Sequence, residues 1–406
     1  MGDFYQNGII TTLHNLSHRP LEDLEIELVK FSRIRPLGLV LPCLYSELEG
    51  PALNPIVNHL AKVPYLSEIV IGLDQADESR YRKALRFFAQ LPQNYKVLWN
   101  DGPRLKNLHE QLHEQGLSTG GAGKGRNVWF CFGYALASGR TSSIAVHDCD
   151  IVTYNRELLA RLIYPVANPQ FNYTFCKGYY ARIADGKING RVERLLVTPL
   201  LRALKKILGQ QEYLEYLDSF RYALAGEFSL RTDVISDMYV PSDWGLEIGV
   251  LAEMKRNYAT NRICQVDIAD TYDHKHQDLS LNNDQGGLSK MSVDISKAVF
   301  RKLATNGVVF SSETFRSIKA TYFRIALDFV ETYNNDARIN GLTADVHAQE
   351  QAVEMFAENI LKAGLDFLEN PMERPFIPSW NRAVSALPHI QEDFIAAVEE
   401  DMREFG

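Results

Sequence analysis

Short apolar runs alternate with segments of helical periodicity between residues 37 and 99, and this alternation restricts the possible folds more than any other feature. The apolar runs have the length and composition of buried strands, and they are residues 37–41, 68–73 and 95–99. Before the last run, the apolar side chains Tyr81, Leu85 and Phe88 follow the spacing of a helix. Strands that are connected by helices form a parallel sheet with right-handed crossovers. We therefore predict an α/β fold with a mostly parallel sheet.

An acidic pair follows the next apolar run of this series. Ile144 to Val146 has the pattern of a buried strand, and Asp148 and Asp150 come directly after it. In an open α/β sheet, ligands bind beyond the carboxyl ends of the strands. Two carboxylates spaced i, i+2 could give a divalent cation two oxygen ligands, and the cation could hold a diphosphate. A strand that ends in a solvated acidic turn explains the pair equally well, because short acidic pairs are common.

A glycine-rich segment precedes the helix that leads to this strand. It reads L-S-T-G-G-A-G-K-G over residues 117–125. Glycines let the backbone approach a ligand closely, and Lys124 would then reach a phosphate or sugar oxygen. The segment is not a P-loop, because Gly125 stands where Ser or Thr is required. A flexible loop without a ligand is an equally good interpretation of the segment alone.

Cations concentrate after the strand that we predict over residues 172–176, although the chain is acidic overall. They are Lys177, Arg182, Lys187, Arg191 and Arg194. Guanidinium groups match the geometry of phosphate and carboxylate, so an anion-binding loop would explain the cluster, and so would a solvated hairpin. Arg191 would lie at the N-terminal end of a helix over residues 192–208, where the helix dipole also favours anions.

Two further positions carry groups that could serve a site. Glu247 lies among apolar residues in the first turn of a predicted helix, and a buried carboxylate is costly unless it is paired or used. The last predicted strand, residues 263–268, is followed by His274 and His276. One of these histidines could complete a metal site, although a polar loop with surface histidines is about as good an explanation.

Composition limits the remaining possibilities. The chain has 406 residues, more than one compact core usually serves, and we expect a peripheral N-terminal arm over 1–36 and a helical extension over 291–406. Apolar stripes in that extension would pack on the first domain or on a second subunit. The net charge of −8 argues against a nucleic-acid partner.

Nothing in the sequence predicts a membrane span or a signal peptide. No apolar run approaches the roughly 18 residues of a transmembrane helix. The 5 cysteines contain no C-x-x-C pair, which indicates reduced thiols. We therefore expect a cytoplasmic protein.

In chain order, these segments resemble those of the glucosyl-3-phosphoglycerate synthases, a family of retaining GT-A glycosyltransferases. The matching segments are L-P-C-L-Y-S-E, E-I-V-I, G-K-G, D-C-D, C-K-G-Y-Y-A-R, N-G-R-V, L-A-G-E-F, W-G-L-E-I-G, and V-D-I followed by H-K-H. The resemblance covers about residues 37–290. It implies the Rossmann-like GT-A nucleotide-diphospho-sugar transferase fold, with a nucleotide-sugar half at about 37–151 and an acceptor half at about 152–290.

The resemblance also implies a role for each matching residue. The donor-binding positions are Pro42, Leu44, Glu47, Asp74, Lys124, Gly125 and Asp148. The acceptor-binding positions are Lys177, Gly178, Tyr179, Gly190, Arg191 and Val192. The ligands for Mg²⁺ or Mn²⁺ are Asp150, His274 and Asp148. The catalytic positions are Glu247, Asp150 and Arg191.

The implied reaction moves a hexose, with glucose favoured, from a nucleotide-diphosphate sugar to 3-phosphoglycerate or a related small acid. UDP-glucose is the favoured donor, a homodimer is expected, and the product would serve the synthesis of a glucosylglycerate-type compatible solute. Two positions depart from the family pattern: Glu193 replaces a threonine that faces the acceptor phosphate, and Leu73-Asp74 replaces Asp-Ser. An unphosphorylated glycerate acceptor or a GDP-mannose donor therefore stays open.

Two other classes of protein are alternatives. A non-catalytic nucleotide-sugar-binding protein would bind the donor without turnover, but Lys124, Asp148, Asp150 and Glu247 argue for catalysis. A nucleotidyltransferase would also use a parallel sheet and a metal ion. The G-K-G segment lies far along the chain from the first strand, not directly behind it, which weighs against that class.

Overall fold

The structure is a computed structural model in which residue 6 and residues 8–274, 287–373 and 375–406 are described. The strands are β1 (Thr11–Leu13), β2 (Leu37–Leu44), β3 (Leu66–Asp74), β4 (Tyr95–Trp99), β5 (Ser143–Val146), β6 (Phe175–Ala184), β7 (Lys187–Ile188), β8 (Phe228–Arg231), β9 (Val240–Pro241), β10 (Ile263–Tyr272) and β11 (Phe376–Ile377). The helices are α1 (Leu21–Ser32), α2 (Leu53–Leu60), α3 (Glu78–Phe88), α4 (Pro103–Glu114), α5 (Lys124–Ser138), α6 (Arg156–Ala167), α7 (Thr198–Leu208), α8 (Glu212–Asp218), α9 (Thr232–Ile235), α10 (Leu246–Asn257), α11 (Gly287–Thr305), α12 (Ser312–Ile339), α13 (Val346–Glu369), α14 (Trp380–Ala386) and α15 (Ile390–Phe405).

The sheet is mostly parallel, as predicted. Its strand order is β1-β10-β6-β8-β5-β2-β3-β4, with β7 paired to β6. Strand β8 runs antiparallel to both of its neighbours, β5 and β6. Because β2 runs parallel to both β3 and β5, the carboxyl ends of these three strands lie at one edge of the sheet. A ligand site is expected at this edge in an α/β fold.

Two hydrophobic cores cover the two faces of the sheet. One core contains apolar side chains of α1, α2, α3 and α6. The other contains those of α4, α5 and α7, together with the helices from α8 to α15. The C-terminal helices therefore complete one face of the main sheet.

Strand β2 is longer than predicted, because Pro42 does not end it. Pro42 pairs with Gly72 of β3 inside the ladder. Proline has no N–H group and is usually excluded from central strands. Here the pairing of β2 with β5 ends at Val40 and Val146, so Pro42 removes no hydrogen bond on that side.

The N-terminal segment is part of the sheet, whereas the sequence suggested a peripheral arm. Strand β1 pairs in parallel with β10, from Thr11 opposite Cys264 to Leu13 opposite Val266. Leu24 and Leu28 of α1 are buried in one of the two cores. The sequence analysis identified no strand here, although Ile9 and Ile10 precede β1 and the segment is rich in β-branched residues.

The C-terminal region is bound to the sheet domain at several points. Strand β11 pairs with β9, and the ring of Trp380 stacks on that of Trp129 with centroids 4.1 Å apart. A Cβ at Gly133 of α5 would overlap the Trp380 ring, so this glycine makes room for the indole. Among the described residues, no helix has both the length and the apolar character that a membrane crossing requires.

Candidate active site

A cavity of about 650 Å³ opens at the carboxyl ends of β2, β3 and β5. Twelve of the predicted site residues line it. They are Pro42, Leu44, Glu47, Asp74, Lys124, Asp148, Asp150, Gly190, Arg191, Val192, Glu247 and His274. Helix α11 closes one side of the cavity through Leu288, Lys290, Met291 and Ile295. The C-terminal helices thus contribute to the site, which the sequence did not indicate.

Asp148, Asp150 and His274 form a group that fits a divalent cation. One potential ligand atom from each lies within 4.8 Å of the others. Asp150 Oδ1 and His274 Nδ1 are 3.7 Å apart, and within the described chain neither atom has a hydrogen-bond partner. Two carboxylates and an imidazole, with unpaired buried ligand atoms on Asp150 and His274, suit Mg²⁺ or Mn²⁺. His276, the alternative ligand, lies outside the described residues.

The backbone fixes the separation of these ligands. Ile151, just after the acidic pair, forms a β-bridge with His274. The Val152 N–H donates to the carbonyl oxygen of Asp273 over 2.8 Å. The acidic turn after β5 and the end of β10 are therefore held side by side.

Lys124 lies between two carboxylates of the cavity. Its Nζ is 2.7 Å from Asp148 Oδ1 and 3.2 Å from Glu247 Oε1. Burial opposes the charge of Lys124, but the two carboxylates outweigh it and raise the pKa of the ammonium group. Burial likewise acts to raise the pKa of Asp148, and Lys124 outweighs it and lowers that pKa. Both groups are therefore ionised at neutral pH.

Two glycines leave the space that this arrangement requires, because a side chain at either position would overlap neighbouring atoms. A Cβ at Gly226 would overlap the Asp148 carboxylate and crowd Lys124 Nζ. A Cβ at Gly125 would overlap the carbonyl oxygen of Pro241. Gly125, predicted to bind the donor, is buried in the first turn of α5 and packs on the backbone instead.

Lys177, Gly178 and Tyr179 do not line the cavity, contrary to the predicted acceptor contacts. The predicted strand ends too early, since β6 continues to Ala184 and its side chains alternate between the two faces. Lys177 is fully buried, donates to the Ala225 carbonyl, and has its pKa lowered to about 8 by burial. The Tyr179 hydroxyl donates to the carbonyl oxygen of Leu13.

Two tyrosines and a glutamate form a buried cluster behind the acidic pair that the sequence analysis missed. Glu227 is fully buried, and it accepts hydrogen bonds of 2.6 Å from the hydroxyls of Tyr180 and Tyr272. The two rings stack with centroids 3.7 Å apart. Burial raises the pKa of Glu227, and the nearby charge of Asp148 adds to this effect. The segment L-A-G-E-F was visible in the sequence, but its partners come from two distant strands.

The loop that carries Gly190 and Arg191 is held from behind by Arg194. Gly190 adopts a positive φ of 77°, which favours glycine. The buried Arg194 guanidinium donates to the carbonyl oxygens of Ile188 and Asn189. A π-helical turn, Val192–Val197, precedes α7, so the predicted helix is irregular at its start. Of the predicted cation cluster, Arg182 and Arg191 face the cavity, and Arg194 is structural.

Glu193, which departs from the family pattern, is turned toward the backbone. Its carboxylate accepts a hydrogen bond of 2.9 Å from the Leu224 N–H. Burial raises its pKa to about 7. A carboxyl group that is partly protonated and bound to backbone N–H groups repels an anionic acceptor less than a free carboxylate would.

Two known proteins are similar to this chain over almost its whole length. No protein-family model matches the chain. It is 47% identical over 401 residues to the glucosyl-3-phosphoglycerate synthase of Persephonella marina, covering 99% of both chains. It is 39% identical over 408 residues to the protein of the same name from Methanococcoides burtonii, again covering 99% of both.

Solved structures share the fold at low sequence identity. A glucosyl-3-phosphoglycerate synthase from Mycobacterium tuberculosis, crystallised with Mn²⁺, UDP-glucose and phosphoglyceric acid, matches with a TM-score of 0.53 and 19% identity. The match covers 75% of this chain and 89% of that chain. A mannosyl-3-phosphoglycerate synthase from Rubrobacter xylanophilus matches with a TM-score of 0.54 and 19% identity, over 74% and 83% of the chains.

Proposed function

Because the chain belongs to the glucosyl-3-phosphoglycerate synthase family of glycosyltransferases, we propose that its cavity transfers glucose from UDP-glucose to 3-phosphoglycerate with retention of configuration. The observation that carries this proposal is the meeting of Asp150, His274, Lys124 and Glu247 in one cavity with the Arg191 loop. Such a cavity offers separate places for a diphosphate, a sugar and an anionic acceptor. The product would serve the synthesis of a glucosylglycerate-type compatible solute.

The donor diphosphate would lie between the metal ligands and the start of α5. Asp150 and His274, with Asp148 beside them, would hold Mg²⁺ or Mn²⁺, which when bound neutralises charge on the leaving diphosphate. Lys124 would donate to the same diphosphate as negative charge develops on it. The N-terminal end of α5, which faces the cavity at Lys124, adds a favourable dipole.

Binding of the acceptor would rest on the opposite wall of the cavity. Arg191, with Arg182 beside it, presents guanidinium groups that match a phosphate or a carboxylate. Orientation of the acceptor hydroxyl toward the sugar would supply much of the rate enhancement.

In the transfer itself, a bond forms between the acceptor oxygen and C1 of glucose while the bond from C1 to the diphosphate oxygen breaks. For retention, the hydroxyl approaches from the face that the diphosphate leaves, and a diphosphate oxygen takes its proton. Glu247, which accepts a hydrogen bond from Lys124, would position the sugar on that face.

Two further properties belong to the proposal. All 5 cysteines are free and buried, which supports a reducing cytoplasmic location.

A homodimer would use the groove between α12 and α13, where Phe323 and Met355 line an open surface depression. Analytical ultracentrifugation would contradict the dimer if only the monomer mass were found.

The test measures nucleotide release with Mg²⁺ or Mn²⁺ from UDP-, GDP- and ADP-glucose, each with 3-phosphoglycerate, glycerate or no acceptor. We expect UDP release that depends on 3-phosphoglycerate. Release with glycerate alone would contradict the phosphorylated acceptor, and nucleotide binding without any release would contradict catalysis. NMR of the product would settle the configuration at C1.

A further inference from the structure

A second cavity, of about 690 Å³, lies on the other side of α10 from the candidate active site. Helix α10 is the wall between the two, because Glu247 faces the active site while Ile248, Gly249 and Ala252 line the second cavity. Asp243 borders both. None of the donor, acceptor or metal positions of the proposed reaction lines this second cavity.

The second cavity is rich in cations. Arg256, Arg301, Lys302 and Arg382 line it, against the acidic Asp243 and Glu253. Arg256 is paired with Glu253 at 3.0 Å. Burial lowers the pKa of Lys302, although Glu253 acts to raise it, and the charge of Arg256 contributes further to the lowering. The lining holds four cations and two carboxylates, a net charge of +2 that an anion in the cavity would balance.

Two buried polar groups of this cavity have unused hydrogen-bonding capacity. The side chain of Arg301 is 9% exposed, and its Nη2 contacts Glu373. Within the described chain, Nε and Nη1 of Arg301 have no hydrogen-bond partner, and Nη1 is 3.9 Å from Asp243. The Tyr213 hydroxyl, on a residue 1% exposed, likewise has no partner there. Buried donors are nearly always paired, and both residues line this cavity, so their unpaired donors point to a ligand bound there.

Aromatic side chains complete the lining. The Arg256 guanidinium carbon lies over the Tyr239 ring, 5.2 Å from its centroid. Phe376, which is 38% exposed, lines the same cavity. The volume lies within the range of small-ligand pockets, roughly 300–1,000 Å³. Guanidinium, ammonium and phenol donors suit phosphate oxygens, and the rings suit a planar organic group.

We propose that this second cavity binds an organic phosphate. The phosphate lies against Arg301, Lys302 and the Tyr213 hydroxyl, and the organic part lies against Tyr239 and Phe376. The site is distinct from the donor and acceptor sites and does not depend on the proposed reaction.

The test is isothermal titration of the full chain with AMP, with inorganic phosphate and with adenosine. We expect AMP to bind more tightly than inorganic phosphate, and adenosine not to bind. Equal affinities for AMP and phosphate would overturn the role of the aromatic wall, and no heat with either phosphate would overturn the site.

Variants locate the binding. Tyr213→Phe removes the unpaired hydroxyl and keeps the ring, so we expect AMP affinity to fall about tenfold while the thermal midpoint stays or rises. Tyr216→Phe is the matched control, because its hydroxyl is also buried and unpaired within the described chain but lies outside the cavity. Equal losses in both variants would overturn the proposal.

A second pair of variants separates this cavity from the active site. Lys302→Met should weaken AMP binding, and Lys302→Arg should restore most of it. Excess UDP with Mn²⁺, which would occupy the donor part of the candidate active site, should leave AMP binding unchanged. AMP binding that survives Lys302→Met but is lost in the presence of UDP would place the ligand in the active site and overturn the proposal.

Discussion

The negative charge of the carboxylates beyond the carboxyl end of β5 is balanced by few cations among the described residues. Asp148 and Glu247 share the single ammonium group of Lys124, while Asp150 adds a third carboxylate beside His274. A diphosphate that entered this cavity alone would meet more negative than positive charge at short range. The binding of a donor therefore requires the additional positive charge of a divalent cation.

Asp150→Asn tests this requirement directly. Asparagine keeps the size of the side chain and removes its charge, so we expect the fold to stay intact and Mn²⁺-dependent UDP affinity to fall by about a hundredfold. Isothermal titration of UDP with and without Mn²⁺ measures the change. Wild-type dependence on Mn²⁺ in the variant would contradict the assignment of Asp150 as a ligand.

Glu193 makes the stability of the protein depend on pH. Burial raises the pKa of Glu193 from 4.5 to about 7, so the folded state holds this proton more tightly than the unfolded state. The stabilisation is present below pH 4.5 and is lost as pH rises toward 7, amounting to about 3 kcal/mol.

Glu193→Gln should remove that dependence. Urea unfolding at pH 5 and at pH 8 should show a smaller loss of unfolding free energy in the variant than in the wild type. Equal losses in the two proteins would mean that Glu193 ionises normally. Circular dichroism at both pH values verifies that the starting states are folded.

Among the secondary-structure elements, α5 connects the Lys124 side of the cavity to the rest of the fold. Its first residue is Lys124, its second is Gly125 against Pro241, and its Gly133 accommodates the ring of Trp380. The direction of one helix therefore sets the position of the ammonium group. Anything that displaces its first turn should disturb donor binding.

Gly125→Ala should displace that turn. The added Cβ would overlap the backbone carbonyl of Pro241, which cannot rotate away, so we expect a loss of about 1–3 kcal/mol and weaker UDP binding. Gly121→Ala is the matched control in the same loop, because a Cβ there meets nothing within 4 Å. Thermal midpoints and UDP titration measure both variants, and similar behaviour of the two would contradict the packing argument.

Element types were predictable where a local pattern decides them. Strand β4 has the predicted bounds, Tyr95–Trp99, since polar residues lie at both of its ends. The bounds of β2 and β6 were wrong because their ends depend on which neighbours pair with them. Asp148 and Asp150 were identifiable because both lie directly after a strand. The pairing of Glu227 with two tyrosines was not, because no local pattern records contacts between distant strands.

At the scale of the whole molecule, the last helix, α15, joins the C-terminal region to helix α4. Arg104 of α4 reaches Asp401, Glu404 and Glu400 of α15. Asp401 is 1% exposed, and burial raises its pKa despite the bond to Arg104. The buried Asp401 carboxylate is stable at this site only while the Arg104 guanidinium neutralises its charge.

Arg104→Met should therefore destabilise the protein by about 2–3 kcal/mol, less than for a fully buried pair because Arg104 is partly exposed. The midpoint of urea unfolding measures this loss. Adding Asp401→Leu should recover part of it, since the unpaired charge is then gone. A double variant that is as unstable as the sum of the single variants would contradict this coupling.

The placement of His274 has a consequence for how the chain assembles. Strand β10, which ends beside this histidine, lies between β6 and β1 in the sheet. Asp148 and Asp150 follow β5, which is separated from β10 by β6 and β8. Asp150 and His274 are far apart in the sequence, so the three candidate ligands meet only when β10 has paired within the sheet. Binding of Mn²⁺ during refolding would therefore report that β10 has joined the sheet. A chain that ends before residue 263 carries both aspartates but lacks His274, so we expect it to bind Mn²⁺ more weakly than the whole protein.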